Sequence, residues 1–360
     1  MVHSPFCIYG AGIVATSIYT ALKMHYMRIP ECFLVSSPEG NPSEIDGLLV
    51  KTIDEYSVKD AEMRYLIAVP EVHHPSVEDA LLQRGVSQEQ IIFVGNRLEN
   101  QLLENYYRDL PDFETADQLL RRIEEGNESA DTEIKVFQAK CHVDRTLQYE
   151  ESIPDYVCPI QVGASLTDQK IEPLRDDQGP NISDKNRNYS ELTAMYYAWK
   201  NCQAAYKGLC HYRRIFELSD IELHKLINQG HADVILPYPS VYYPNIDCEH
   251  SRYVSEDDWE AMLQALKETA PEYYEAYLSS LSKELYFYNF NMLIAKRAVF
   301  DDYCEFMFSV LERTEELTSP KGRERADRFA GYLGENLTTI YFRKNRENLN
   351  LVHTGKVWLI

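Results

Sequence analysis

The chain has 360 residues, which is enough for two domains that each bury a sizeable core. Its composition, with 44% hydrophobic and 26% charged residues, is that of an ordinary globular protein. The formal net charge of -21 excludes a general nucleic-acid binder, because a polyanion would be repelled. An anionic ligand would therefore need a locally basic pocket.

The apolar segments and the cysteines bear on location. No apolar stretch approaches the length of a membrane span, and the N-terminus lacks the apolar region of a signal peptide. The eight cysteines are scattered and include no Cys-x-x-Cys pair. We therefore expect reduced thiols in a cytoplasmic protein, and no zinc site.

The first predicted elements alternate between strand and helix over residues 6–94. A short apolar strand, Phe6–Tyr9, runs into Gly10-Ala11-Gly12-Ile13-Val14-Ala15, a G-x-G-x-x-A turn that opens a helix. Such a turn lets the backbone approach a pyrophosphate at a helix N-terminus. The next strand ends in Ser36 and Ser37, where an NAD-binding fold would place Asp or Glu. We predict a Rossmann-like domain over residues 1–97, retain Gly10 and Gly12 as cofactor-binding candidates, and do not expect NAD.

The remainder of the chain is predicted to be a connector and a second domain. Residues 98–130 are strongly charged, with leucines at helical spacing, and are predicted to form a helical connector. Residues 131–360 are predicted to form an α/β domain in which Ser190 is the N-cap of a helix. Its predicted strands include 134–139, 159–164, 233–237 and 290–295.

The most conspicuous stretch of the second domain is Gly208-Leu209-Cys210-His211-Tyr212-Arg213-Arg214-Ile215-Phe216. Neighbouring side chains of a strand point to opposite faces, so both arginines could serve one ligand only if the strand ended near Cys210. They would then lie at the carboxyl end of the strand, where open α/β sheets bind ligands. Two guanidinium groups there suit a phosphate or a diphosphate. The alternative is a surface strand whose arginines form salt bridges.

Residues 134–343 carry ordered motifs that are similar to those of one protein family. Besides the arginine stretch, the motifs are Asn181-Ile182-Ser183, Lys185-Asn186, Tyr189-Ser190-Glu191-Leu192-Thr193, Trp199-Lys200-Asn201, Asn291-Met292 and Gly331-Tyr332-Leu333-Gly334-Glu335. The segment resembles the bacterial capsular and exopolysaccharide glycosyltransferase family known as domain of unknown function 4422. The resemblance implies a GT-A-like nucleotide-sugar fold. Gly334 and Asn336 depart from the usual ending of the family signature, Gly-Tyr-Leu-Ala-Glu-Arg.

The resemblance also implies an activity. The enzyme would move a hexose, in some members galactofuranose, from a nucleotide-diphosphate sugar to a cell-surface polysaccharide or a lipid-linked glycan. A UDP-sugar is the expected donor, and such an acceptor would bring the protein into peripheral contact with the cytoplasmic face of the inner membrane. A basic cluster, Lys321, Arg323, Arg325 and Arg328, could meet a lipid phosphate there, although we favour a solvated helix face.

The predicted site follows from the charge that develops on the departing diphosphate. Many GT-A enzymes meet that charge with a metal held by Asp-x-Asp, a motif that this sequence lacks at a strand end. We predict that Arg213 and Arg214 replace the metal while His211 binds phosphate or orients a carboxylate, and we leave Mn²⁺ or Mg²⁺ open. Glu335 is the first choice of general base and Glu191 the second. The predicted substrate-binding residues are His142, Gly163, Asn181, Lys185, Asn186, Tyr189, Glu191, Tyr212, Asn291 and Tyr332.

Two other functions stay open. One is an NAD-dependent oxidoreductase that uses the N-terminal glycine turn, and Ser36 and Ser37 count against it. The other is a non-catalytic sugar-nucleotide-binding protein built on a degenerate transferase. The departures at Gly334 and Asn336 keep that alternative open.

Overall fold

The computed structural model describes residues 4–58, 62–123, 132–147, 153–248, 250–318 and 325–359. The strands are β1 (Phe6–Tyr9), β2 (Phe33–Val35), β3 (Glu44–Ile45), β4 (Leu48–Thr52), β5 (Arg64–Ile67), β6 (Ile91–Phe93), β7 (Glu114–Thr115), β8 (Ile134–Lys140), β9 (Val157–Gln161), β10 (Tyr206–His211), β11 (Arg214–Phe216), β12 (Val234–Pro237), β13 (Ser240–Val241), β14 (Tyr286–Phe287), β15 (Leu293–Lys296), β16 (Leu351–Thr354) and β17 (Lys356–Trp358). The helices are α1 (Ile13–Met24), α2 (His74–Leu82), α3 (Asn96–Arg108), α4 (Ala116–Arg122), α5 (Asn186–Tyr189), α6 (Leu192–Asn201), α7 (Asp220–Asn228), α8 (Glu256–Thr269), α9 (Pro271–Ser279), α10 (Arg297–Leu317) and α11 (Phe329–Asn345).

The first sheet belongs to an N-terminal α/β unit. Its strand order is β3-β4-β2-β1-β5-β6, with parallel pairs except for β3 and β4. The central strand β1 is buried over its whole length, as expected for a parallel strand covered on both faces. Gly10 follows it with a φ of 126°, and a Cβ there would lie 2.6 Å from the carbonyl oxygen of Ala68. Only glycine fits this close approach between β1 and the end of β5.

The second sheet is larger and mixed. Its main order is β9-β8-β10-β15-β12-β16-β7, in which β15 is antiparallel to both of its neighbours and the other pairs are parallel. Beyond the end of β10 the chain turns back as β11, which pairs with β17. Apolar faces of α6, α8, α10 and α11 cover one side of this sheet, and α4 and α7 cover the other. The α/β layers therefore leave the ends of the parallel strands open for a site.

Helix α3 closes the free edge of β17. The Asn96 side chain accepts from the Trp358 amide at 2.9 Å and donates to the Trp358 carbonyl at 3.1 Å. One turn later, Asn100 makes the same pair of contacts with the backbone of Lys356. These amide side chains replace a further strand at an edge that would otherwise be unpaired. They also join the N-terminal unit to the second sheet.

A second junction connects α1 to β13. The Thr16 hydroxyl donates to the Val241 carbonyl at 2.7 Å, and the Val241 amide donates to the Ser17 hydroxyl at 3.1 Å. Both contacts are buried, so they fix the start of α1 against the second unit. The predicted domain boundaries at residues 97 and 130 stay a prediction. Helix α3 contacts α1 of the first unit and β17 of the second, and β7 contacts α3 and pairs with β16.

Two local predictions were wrong. Ser190 does not cap α6, because it has a φ of 50° at the end of α5 and makes no side-chain bond to the first turn. Strand β15 begins at Leu293 rather than at Phe290, because Phe290 and Asn291 have φ values of 74° and 51°. Both segments lie next to the cavity described below, where backbone strain is often found.

Candidate active site

A cavity of about 620 Å³ lies at the carboxyl ends of three neighbouring parallel strands. His142 and Asp144 follow β8, Gly163 follows β9, and the arginine stretch follows β10. Because parallel strands end at one edge of a sheet, residues far apart in sequence meet there. The wall also takes Ile13 from α1 of the N-terminal unit.

The turn between β10 and β11 places both arginines in this wall. Strand β10 ends at His211, and β11 begins at Arg214, which pairs with His211. Tyr212 and Arg213 form the turn between them. The strand thus ends one residue after Cys210, and both arginines line the same cavity.

Arg214 is a buried cation that forms no salt bridge with a described carboxylate, although the charges of Glu335 and Glu191 act on it. Its guanidinium lies between the rings of Phe290 and Trp358, 4.0 Å from each centroid. The residue is 6% exposed, and its Nε atom has no hydrogen-bond partner in the described part of the chain. Burial, followed by the charge of Arg213, lowers the pKa of Arg214 to about 9. Burial of a guanidinium without a salt bridge destabilises the protein, and an anion bound from solution would offset that cost.

His211 orients Arg214 as a neutral imidazole. Its Nε2 atom donates to the Phe290 carbonyl at 2.6 Å, and its Nδ1 atom accepts from Nη1 of Arg214 at 3.3 Å. Burial lowers the pKa of His211 to about 4, so the ring is uncharged at neutral pH. Glu191 lies 3.7 Å from Nε2, a longer contact, because the single ring proton is directed at the Phe290 carbonyl.

Arg328 is a third cation in the wall, held by two residues of the segment before α6. Its Nε atom donates to the Ser190 hydroxyl at 2.8 Å, and its Nη2 atom lies 3.5 Å from Glu191. Asn291 donates to the other oxygen of Glu191 at 2.8 Å. Glu191 is 7% exposed, so these contacts hold the carboxylate inside the protein. Glu191 is therefore better suited to position Arg328 than to accept a proton from a substrate.

Two further carboxylates, Glu335 and Asp144, belong to the cavity wall. Glu335 is a partly exposed residue of α11, and its charge acts on Arg214. Asp144 lies in the turn after β8, where one of its oxygens accepts from the Cys141 amide at 2.6 Å. Burial raises the pKa of Asp144 against the opposing effect of Arg213 and Arg328. Either carboxylate has the chemistry of a general base.

The cavity wall brings together most of the residues predicted from the sequence. These are His142, Gly163, Asn186, Glu191, His211, Tyr212, Arg213, Arg214, Tyr332 and Glu335. Gly163 has a φ of 61°, and a Cβ there would lie 2.8 Å from the side-chain oxygen of Asn186. That close approach explains the glycine after β9.

Four predicted substrate-binding residues lie outside the wall and bond other protein groups. Lys185 and Tyr189 both contact Glu315 of α10, at 2.6 Å and 3.1 Å. Asn181 donates to the Gly179 carbonyl at 2.7 Å, inside its own turn. Asn291 holds Glu191, as described above. These contacts within the protein give each of the four residues a structural role. Contacts of the four residues with a substrate stay a prediction.

The N-terminal glycines reach the site only indirectly. Gly10 serves the packing of β1, whereas Gly12 begins α1 with open space where a Cβ would be. Ser36 bonds the Tyr9 hydroxyl at 2.8 Å at the edge where the ribose of a dinucleotide would lie. The predicted absence of NAD binding stays a prediction.

Several residues of the cavity wall are not among those predicted from the sequence. Arg328 was assigned to a solvated basic cluster, of which Lys321 and Arg323 lie outside the described residues. Asp144, Asn289 and Tyr242 have no motif around them that marks a site. The stacked rings of Tyr253 and Tyr332, 4.8 Å apart, also line the wall. Only the fold brings these residues together, so no local pattern could have revealed them.

Arg213 and Arg214, which follow the end of β10, are cations and do not fit a divalent metal. Within the described ranges, no group of three or more His, Cys, Asp or Glu residues could hold a metal ion.

None of the helices in those ranges has the length and apolar character needed to cross a membrane.

Comparisons with known proteins identify the class of fold and the family. A solved structure of the WbbM bifunctional glycosyltransferase, in its apo form, matches with a TM-score of 0.52 at 22% sequence identity. The match covers 63% of this chain and 45% of that one, so the chain spans less than half of the WbbM protein's length. It confirms the predicted α/β fold. The chain belongs to the family described as Domain of unknown function (DUF4422), whose model matches residues 141–346. No curated protein matches the chain.

Proposed function

We propose that the chain is a glycosyltransferase that moves a hexose from a nucleotide-diphosphate sugar, a UDP-sugar first among them, to a glycan or lipid-linked acceptor. The observation that carries this proposal is Arg214, a buried cation that forms no salt bridge with a described carboxylate and lines a cavity beside Arg213. A diphosphate offers the charge and the several acceptor oxygens that two guanidinium groups can bind. The similarity in fold to the WbbM glycosyltransferase supports the same class of reaction.

The reaction joins an acceptor hydroxyl to the anomeric carbon of the donor sugar. As the new carbon–oxygen bond forms, the bond from that carbon to the diphosphate breaks, and the diphosphate leaves with the electron pair. Arg213 and Arg214 stabilise the growing charge because they are already in place before the reaction begins. His211 keeps the Arg214 guanidinium in its plane by accepting a hydrogen bond at 3.3 Å.

We assign the proton of the acceptor hydroxyl to Glu335, on α11. It lines the cavity and is partly exposed, so an acceptor hydroxyl can reach it, whereas Glu191 is 7% exposed and positions Arg328. Asp144 is the other carboxylate of the wall that could take this role. Substitutions that remove each charge distinguish the roles of the two residues.

A metal is not needed in this mechanism. The position that would carry Asp-x-Asp holds two arginines, and their charge supplies what Mg²⁺ or Mn²⁺ supplies in other transferases. Chelation should therefore leave turnover intact. The location of the cavity also distinguishes the proposal from a dehydrogenase, because its described wall comes from the second unit apart from Ile13.

The test is turnover on a panel of nucleotide sugars with and without EDTA. We expect one or a few UDP-sugars to be hydrolysed slowly, or transferred when an acceptor is present, and we expect EDTA to have no effect. Tight binding of nucleotide sugars without any turnover would instead support the non-catalytic alternative. Reduction of NAD by the full chain, with no nucleotide-sugar binding, would overturn the proposal.

A further inference from the structure

Two stacked tyrosines form an aromatic surface in the cavity wall. The ring centroids of Tyr253 and Tyr332 lie 4.8 Å apart, and the angle between the ring planes is 14°. Tyr253 is 50% exposed even though its ring is stacked on that of Tyr332. Because the side chain supplies most of the surface of a tyrosine, a molecule that enters the cavity can reach the Tyr253 ring.

The segment that carries Tyr253 is anchored on both sides. The His250 ring stacks on that of Trp259, in α8, with centroids 4.1 Å apart. The His250 carbonyl accepts from the amides of Tyr253 and Val254, at 3.0 Å and 2.8 Å. His250 and Val254 are both buried, so the exposed tyrosine lies between two fixed points. A ring that is held in place before a ligand arrives lowers the entropic cost of binding.

Tyr332 supports the exposed ring from α11. The Arg328 guanidinium lies 5.7 Å from the centroid of the Tyr332 ring, and Arg328 itself donates to the Ser190 hydroxyl at 2.8 Å. Tyr332 also packs against the hydrophobic core under the sheet. It therefore backs the stack, and Tyr253 presents the accessible surface.

Helix α11 places the stacked tyrosines beside Glu335, the residue to which we assign the acceptor proton. Tyr332 and Glu335 are three positions apart on α11, so their side chains are neighbours on the helix surface, and both line the cavity. The acceptor hydroxyl must contact Glu335 to lose its proton, which brings the rest of the acceptor within reach of the tyrosines. The diphosphate of the donor is assigned to Arg213 and Arg214, on a different element.

The chemistry of the exposed ring selects its ligand. One face of a hexose ring consists largely of C–H groups and can cover a tyrosine ring, while the hydroxyls at its rim stay hydrated or bond polar groups. A phosphate has no apolar face of this kind. A uracil ring could also stack on a tyrosine. In a UDP-sugar, however, the uracil is separated from the reacting carbon by the ribose and the diphosphate, whereas this surface lies beside Glu335.

We propose that Tyr253 and Tyr332 form an acceptor subsite, in which the hexose that receives the transferred sugar stacks on Tyr253. The group next to the new bond is accordingly a sugar ring. This inference rests on the proposed function, because it takes the position of the acceptor from Glu335.

The test measures the use of acceptors by variants of the exposed ring. With the preferred UDP-sugar at saturation, initial rates of transfer would be measured against the methyl glycosides of glucose, galactose, mannose and N-acetylglucosamine. Tyr253→Leu should raise the KM for the best glycoside about 3- to 10-fold, the effect of losing one aromatic stack. In the same variant, the affinity for UDP and the slow hydrolysis of the UDP-sugar without an acceptor should stay unchanged.

Two further variants separate stacking from a general structural effect. Tyr253→Phe keeps the ring and should retain the wild-type KM. Tyr26→Leu makes the same change at a tyrosine that is 39% exposed and lies outside the cavity wall, so it should leave the KM for the glycoside unaltered. An equal rise in KM in Tyr253→Phe or in Tyr26→Leu would show that stacking is not its cause.

A comparison of acceptors covers the case in which Tyr253→Leu does not fold. Sorbitol carries the hydroxyls of a hexose without the ring, and the wild type should use it with a kcat/KM at least about 3-fold below that of the best methyl glycoside. Equal use of sorbitol, or donor hydrolysis with no transfer to any glycoside, would overturn the inference. So would an unchanged KM in Tyr253→Leu, or a loss of UDP affinity that matches the rise in KM, which would place the uracil on this surface. Failure of the wild type to turn over any nucleotide sugar would instead contradict the proposed function itself.

Discussion

Nη1 of Arg214 donates a hydrogen bond to Nδ1 of His211 at 3.3 Å, so the orientation of a buried cation depends on a buried, uncharged imidazole. A protonated His211 could not accept this bond and would place a second positive charge beside Arg214. The burial that lowers the pKa of the imidazole to about 4 therefore also preserves the anion site.

Removal of the Arg214 guanidinium should damage the reaction more than the fold. Arg214→Ala should lower kcat/KM for the preferred nucleotide sugar by roughly 10²- to 10³-fold, the usual effect of losing one preorganised group that meets a developing charge. The kcat/KM of Arg214→Lys should lie between those of the wild type and Arg214→Ala, because lysine keeps the charge but not the planar group between Phe290 and Trp358. Initial rates measure both. Arg121→Ala is the matched control, an exposed arginine paired with Asp117 away from this cavity, and equal rates in the Arg121→Ala and Arg214→Ala variants would contradict the assignment.

The carboxylates Glu335 and Asp144 should differ in what their removal does. Glu335→Gln should abolish most transfer to the acceptor while UDP-sugar binding stays within about 3-fold, because a general base contributes roughly 10²- to 10⁴-fold to the rate. Asp144→Asn should keep most of the transfer rate. Single-turnover rates and binding titrations on both variants would separate the roles. The reverse pattern, with transfer lost only in Asp144→Asn, would move the base to the turn after β8.

Acid should destabilise the fold through two buried histidines. Burial lowers the pKa of His211 to about 4, and burial with the charge of Arg343 lowers that of His353 to about 3. The unfolded chain takes up these protons near pH 6.5 and the folded chain only at the lower values, so the folded state loses stability as pH falls below 6.5. The free energy of unfolding should fall by up to about 1.4 kcal/mol per pH unit for each histidine. Denaturant titrations between pH 7 and pH 5 measure this slope. It should flatten in His211→Gln and in His353→Gln, and an unaltered slope in both variants would show that other groups cause it.

The contact between α3 and β17 should matter for both stability and activity. Asn96→Ala leaves the amide and carbonyl of Trp358 without their partners and should lower the free energy of unfolding by about 1 to 3 kcal/mol. Because Trp358 stacks on Arg214, turnover should fall as well. Thermal unfolding and initial rates measure the two effects. Asn105→Ala, at a partly exposed position of the same helix where the side chain bonds Tyr26 and Arg108, should lower stability less and leave turnover unchanged, and wild-type behaviour of Asn96→Ala would show that the contact is dispensable.

The parts of the fold that could be predicted from the sequence are those that local pattern determines. The apolar run of β1 and the glycine turn after it indicate strand, turn and helix because backbone conformation and burial act over a few residues there. The adjacent arginines could serve one ligand only if the strand ended near Cys210, since a continuous strand would separate their side chains, and β10 does end at His211. The structure confirms the fold class, and it places both arginines in one cavity.

The parts that could not be predicted depend on contacts between distant residues. Asn96 and Trp358 are 262 positions apart, and nothing in either neighbourhood indicates that a helix will pair with an edge strand. Arg328 reaches the site through Ser190, from a segment whose charges look like a solvated face. The strand predicted to start at Phe290 fails because tertiary contacts favour left-handed conformations there over the local preference for extended backbone.

The most direct test of the central proposal is a titration of UDP into the full chain in the presence of EDTA, performed on the wild type and on Arg214→Ala. If the arginines bind the diphosphate in place of a metal, the wild type should bind UDP equally well with and without the chelator. Arg214→Ala should then bind it at least about 10-fold more weakly, since a charge-assisted contact contributes about 1.5 to 3 kcal/mol. Loss of wild-type binding on addition of EDTA, or full affinity in Arg214→Ala, would contradict the proposal.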